Sequence, residues 1–253
     1  DIVIFAPHQD DEILGAYEII RQQPEHTYVV FLTNGDYEGA EVAKTRWHES
    51  RKALTHLGVP EDHMIALGYA DTGMPREVSF LWRLWHEGDQ TLVPSHVGAH
   101  TYHPDGGKEY HLAHWGAHAA YTRLAVLADV RGVLEDIRPG TIYMTNEDDV
   151  HGDHAAAPLF VHAAIDQMAD YTPTIYRYHV HGGDDERWPN RTGDVFEKPL
   201  NLDESQWESR VSVPVEDQKD FLETLESFQS QWRDAEYMTA FIKKEQVFYR
   251  EKK

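Results

Sequence analysis

The chain has 253 residues, enough to bury one substantial core, and its 41% hydrophobic and 26% charged residues exclude disorder over any long part. A formal net charge of -21 excludes nucleic acid or an anionic membrane as a partner held on a basic face; an acidic surface also serves solubility. Cysteine is absent, which removes disulfides, thiolate metal sites and cysteine nucleophiles, so any metal must be held by carboxylates and by some of the 17 histidines.

Ile2-Val3-Ile4-Phe5-Ala6 is short, β-branched and continuously apolar, the pattern of a strand buried on both faces. Asp10 to Gln22 then carries Ile13, Leu14, Tyr17 and Ile20 at helical spacing. A second strand, Tyr28 to Leu32, ends in the turn residues Thr33-Asn34-Gly35, and a helix over Glu41 to Leu57 stops at Gly58. The third strand is Met64 to Leu67. Residues 69–110 form a long insertion rich in Trp, His, Gly and Pro, with one short helix around Phe80–His86; insertions of this kind serve as lids or substrate walls. Leu112 to Ile137 reads as one long helix, Thr141 to Met144 as the fourth strand, Ala155 to Ala169 as a helix and Thr174 to Tyr178 as the fifth strand. Gly182 to Gly193 reads as loop, and the tail, about 215–248, as one or two amphipathic helices. Strands alternating with helices predict an α/β fold: a single-domain, Rossmann-like three-layer sandwich over residues 1–253, with a mostly parallel sheet, the insertion and a helical tail. No run is long and apolar enough to span a bilayer.

Open parallel sheets bind ligands beyond the carboxyl ends of their strands. The first strand runs into Pro7-His8-Gln9-Asp10-Asp11-Glu12, and the fourth into Asn146-Glu147-Asp148-Asp149-Val150-His151-Gly152-Asp153-His154. A hydrolytic metal site needs three N/O ligands, an open position for water and a base beside that water. His8, Asp11 and His154 can supply the ligands, Asp10 stands adjacent as a base, and His151 stands opposite, able as an imidazolium to steady an oxyanion. The N-terminus of the first helix favours the ionised forms of Asp10 and Asp11. Spacing alone leaves open which carboxylate ligates and which takes the proton.

Pro-His-Gln-Asp-Asp-Glu after a first buried strand, with His-Gly-Asp-His after a later one, resembles the PIG-L (LmbE-like) deacetylase family, whose motifs are P-H-x-D-D-E and H-x-D-H on a Rossmann-like fold. The resemblance implies a zinc-dependent hydrolase that removes an N-acetyl group from an N-acetylglucosamine-type sugar, glycan or glycoside. It implies one zinc ion per chain, replaceable by other divalent metals, with His8, Asp11 and His154 as ligands, Asp10 as general base and His151 polarising the carbonyl. Asp153 would orient a histidine from behind. Arg46, Glu49 and Ala53 before Leu57-Gly58 resemble the family's helix in which the arginine lines the substrate pocket. Asp71-Thr72-Gly73-Met74 resembles its D-S/T-G-M loop, whose aspartate contacts sugar hydroxyls. The resemblance runs over about 2–180 and leaves the tail and much of the insertion unplaced.

Each assignment has a plainer alternative. His8 and Asp11 could merely cap the first helix, Arg46 and Glu49 could be an exposed pair, and Asp71 a turn residue. His111, His114 and His118 share a face of the expected helix, where histidines are more often solvated or satisfied than second-metal ligands. His179 and His181 fall on one face of the fifth strand by period two, and His181 is the candidate for touching substrate. Trp82, Trp85 and Trp115 suit the core as well as a sugar platform, and Asp184-Asp185-Glu186 suits a solvated loop. Two rival functions remain. One is a non-catalytic sugar-binding relative, which gives Asp10 no use. The other is a non-haem iron oxygenase built on two histidines and a carboxylate, which the βαβ rhythm disfavours. A start at Asp1 and the lack of cysteine lean toward an exported, bacterial protein.

Overall fold

The computed structural model describes residues 1–182, 188–189, 194–199, 202–203, 205 and 207–252. Five strands, β1 (Ile2–Ala6), β2 (Thr27–Thr33), β3 (Met64–Tyr69), β4 (Thr141–Thr145) and β5 (Thr174–Tyr178), fall where the apolar runs predict them. Two more, β6 (Trp207–Pro214) and β7 (Glu245–Glu251), complete a seven-stranded sheet of order β3-β2-β1-β4-β5-β7-β6. The first five are mutually parallel, and β7 joins β5 antiparallel.

Alternation sends successive side chains of each strand to opposite faces, and both faces are covered. Ile2, Ile4, Val29 and Phe31 pack under α1 (Asp11–Gln22) and α2 (Ala40–Leu57), with the tail helices α7 (Gln218–Leu225) and α8 (Ala235–Thr239) on the same side. Val3, Phe5, Val30 and Leu32 pack under α3 (Phe80–His86), α5 (Arg123–Ile137) and α6 (Gly152–Ile165) on the other. The result is the expected three-layer α/β sandwich. Among the described residues no helix is long and apolar enough to cross a membrane.

Two expectations change. The tail is not only helical: α7 and α8 are followed by β7, which returns to pair antiparallel with β6 at the edge of the sheet. Its short apolar run, Val247-Phe248-Tyr249, lies in a charged stretch, and tertiary pairing against β5 overrides the helical pattern there. The long helix over 112–137 is two elements, α4 (Tyr110–Trp115) and α5, because Gly116 takes a left-handed φ of 84° and ends the first. His118 therefore leaves the face shared by His111 and His114. The loop from Gly182 to Gly193, with Asp184-Asp185-Glu186, lies largely outside the described residues.

The close seating of α1 depends on Gly15. A Cβ there would lie 2.2–2.8 Å from the ring of Tyr178, whose hydroxyl donates to the Phe5 carbonyl across the sheet. Gly15→Ala is expected to destabilise the fold by about 1–3 kcal/mol, as overpacking does. The check is a lower urea midpoint at unchanged slope.

Candidate metal centre and cleft

The strand order reverses between β1 and β4, which lie side by side, and crevices at such switch points receive ligands. Chain segments some 140 residues apart in sequence thus meet at one spot: the β1–α1 turn carries His8 to Glu12, and the β4–α6 turn carries Asn146 to His154.

His8, Asp11 and His154 are almost wholly buried and converge there. His8 Nδ1 lies 3.1 Å from His154 Nε2, and Asp11 Oδ2 lies 3.3 Å from the first and 3.1 Å from the second. Ligand atoms about 2.0–2.2 Å from a tetrahedral zinc stand roughly 3.4 Å apart, so this triangle fits such an ion. The other ring nitrogen of each histidine meets a buried carboxylate at 3.2 Å: His8 Nε2 with Asp153 Oδ2, and His154 Nδ1 with Asp149 Oδ2. That pairing fixes the tautomers so that both remaining lone pairs face Asp11. Asp153 is in turn held by the Leu81 amide at 2.7 Å, so the insertion braces the site from behind. Burial works against the protonated form of His154, but Asp11 and Asp149 outweigh it and raise its pKa to about 9. A metal bound there competes with protons.

Asp10 has a positive φ of 107° and its side chain makes no capping bond, while Asp11 Oδ2 accepts the His8 amide at 2.8 Å and also meets both imidazoles, which a cap alone would not require. Its amide donates to Glu12 Oε2 at 2.9 Å, and Glu12 also accepts from Ser50, holding the bend. Burial pushes the Asp10 carboxyl up to about 7, with the Arg46 guanidinium, 3.5 Å away, pulling the other way. The helix terminus was expected to favour ionisation of both aspartates. Asp11 does fall well below the usual range, where His154 and His8 overcome its burial, whereas for Asp10 desolvation wins.

A cleft of about 470 Å³ opens over this cluster, lined among others by Asp10, Arg46, Asp71, His151 and His181. His151 caps α6: its Nδ1 accepts the Asp153 amide at 3.2 Å, which leaves Nε2–H as a donor. Burial and the neighbouring His8 and His154 push its pKa well below the usual imidazole value, which favours a neutral ring offering an N–H donor over the expected imidazolium. Asp71 lies 3.9 Å from His8 Nε2 and accepts from the Gly73 amide, a turn residue that also faces the cleft. Arg46 donates to the Gln9 carbonyl at 2.6 Å. Glu49 points away, accepting from the Ser230 amide and hydroxyl and so tying α2 to the tail.

Other candidates disperse. His111, His114 and His118 each face a different carboxylate, Asp129, Asp136 and Glu109. His179 does not share the cleft with His181, because β5 ends at Tyr178 and period two lapses; it lines a separate small cavity beside Trp188. Trp82 and Trp85 pack against the core, and Trp115 is exposed. Two participants escaped the sequence reading. Asp149 is one of three consecutive acidic residues in its turn, with nothing in their order to set it apart. Tyr237 lies in the tail, beyond any motif.

The sequence matches the family described as PIG-L: GlcNAc-PI de-N-acetylase over residues 3–165. The chain belongs to this family. No curated protein matches the sequence. Among solved structures, a conserved protein of Thermus thermophilus is 16% identical at a TM-score of 0.56, over 95% of this chain and 84% of that one. The zinc-inhibited form of a teicoplanin deacetylase is 13% identical at 0.58, over 98% and 97%. An N,N'-diacetylchitobiose deacetylase from Pyrococcus horikoshii, complexed with an inhibitor, is 14% identical at 0.56, over 98% and 82%. At such identities these likenesses concern the fold.

Asp149→Asn removes the charged partner of His154 while keeping the shape. Metal affinity is expected to fall about 10–100-fold, measured by competition with a chromogenic chelator.

Proposed function

We propose that this protein is a metal-dependent N-deacetylase that hydrolyses the N-acetyl group of an amino sugar carried in a glycan or glycoside, and that the metal is zinc, held by His8, Asp11 and His154. The observation that carries the reading is the triangle of ligand atoms at 3.1–3.3 Å, each imidazole backed by its own buried carboxylate. Family membership points to de-N-acetylation, and two of the similar structures are deacetylases of teicoplanin and of N,N'-diacetylchitobiose.

A bound zinc ion supplies Lewis acidity, lowering the pKa of water and polarising a carbonyl. The chain's own residues do the rest. Asp10, at the mouth of the triangle, takes the proton as water adds to the acyl carbon. His151 donates its Nε2–H to the carbonyl oxygen as charge gathers there. The C–N bond then breaks, and the proton held by Asp10 passes to the leaving nitrogen, giving a free amine and acetate. Arg46, Asp71 and His181 face the same cleft and would hold the sugar.

Asp10 is what separates this reading from a non-catalytic sugar binder, since the metal site is complete without it. Asp10→Asn should retain stoichiometric zinc while acetate release from N-acetylglucosamine compounds drops roughly 10²–10⁴-fold. Zinc-loaded wild type that binds amino sugars yet releases no acetate would overturn the enzymatic reading. Chelation should abolish activity and added zinc restore it.

A further inference from the structure

His151 and His181 stand beside each other over the cluster, ring centroids 5.5 Å apart, with His181 4.9 Å from His154. Their hydrogen-bond polarities are opposite. His151 spends Nδ1 as an acceptor on α6, so its free ring atom is an N–H. His181 is held from the tail by Tyr237, whose ring stacks on it at 9° and whose hydroxyl reaches both the Val180 carbonyl and His181 Nδ1, the latter at 3.2 Å. A carbonyl only accepts, so the single hydroxyl proton goes to Val180. The phenol oxygen must then accept from His181, which places the ring proton on Nδ1. Nε2 remains as a lone pair without a partner among the described residues. The backbone keeps this arrangement in place, because the Val180 and His181 amides both donate to Asp149 Oδ2, at 3.2 and 3.0 Å.

One donor and one acceptor, side by side above the ligand triangle, match the two polar ends of a secondary amide. Resting on the deacetylase reading above, we propose that His181 Nε2 accepts the N–H of the substrate's N-acetyl group while His151 serves its carbonyl oxygen, and that Tyr237 is the positioning residue that sets the His181 tautomer. The pair would select secondary amides over tertiary ones. Tyr237 and His181 both lie outside the 3–165 span of the family match, one in the tail and one just after β5.

The test has two arms on the full-length, zinc-loaded protein. In ¹⁵N-labelled wild type, the His181 resonances, identified by their loss in His181→Gln, should show a protonated Nδ1 and a bare Nε2. Tyr237→Phe, which keeps the stacked ring, should mix the tautomers. In kinetics, wild type should prefer an N-acetyl glucosaminide to its N-methyl-N-acetyl analogue. Tyr237→Phe should lose about 3–10-fold in kcat/KM on the former, the worth of one hydrogen bond, and narrow the gap between the two. An active wild type with its proton on Nε2, or a Tyr237→Phe enzyme that keeps full discrimination, overturns this inference alone. A wild type that hydrolyses neither amide overturns the deacetylase reading, and the amide assignment with it.

Discussion

A single buried carboxylate holds the site together. Asp149 accepts the His151 amide at 2.9 Å, the His154 ring at 3.2 Å, and the amides of Val180 and His181 at 3.2 and 3.0 Å. The β4–α6 turn, the first turn of α6 and, from some thirty residues on, the chain beyond β5 therefore meet on one side chain. Burial alone would push this carboxyl up, but His154 and its hydrogen bond, with His181 and His179, hold it well below the usual carboxylate range. Charge-assisted bonds of this kind are each worth about 1.5–3 kcal/mol, and removing their common acceptor would leave several buried donors unpaired.

The same economy explains how four crowded histidines do different work. His8 and His154 are ringed by carboxylates: against the cost of burial, Asp71, Asp11 and Asp153 raise the pKa of His8, and Asp11 and Asp149 that of His154, as suits basic ligands. His151 and His181 have neutral partners behind them, a backbone amide and a phenol, and burial lowers their pKa values, His181 to about 4. Environments that push like groups apart are how one cluster separates ligands from hydrogen-bonding groups. Asp10 and Asp11 divide in the same way: Asp11 is turned onto two imidazoles, whereas Asp10 is bent outward by its positive φ and buried beside a single arginine.

The five parallel strands were legible in the sequence because each is a short run rich in β-branched, aromatic and apolar residues, too short for a helix, and set between helical stretches. The motifs at the ends of β1 and β4 were legible as a site for the same reason: parallel topology must bring strand ends to one rim. What remained hidden depends on contacts made at long range. The antiparallel edge pair β6–β7 is amphipathic and charged, and it is marked as sheet by pairing made at long range, of β7 with both β5 and β6. Asp149 could not be told from Asp148 until the fold turned it inward. His181 was placed near the site by its position after β5, but its polarity is set by Tyr237, a residue 56 positions later.

On the proposed reading two imidazoles and one carboxylate hold the metal, and the cap on α6 keeps His151 out of the set. His8, His151 and His154 also lie close enough together to form a three-histidine set, so the alternative is concrete. X-ray absorption at the zinc edge of the metal-loaded wild type separates the two directly. Two imidazoles are expected around the zinc, the remaining ligands being oxygen, all at about 2.0–2.2 Å. Three imidazoles, or no ordered shell at all, would contradict it.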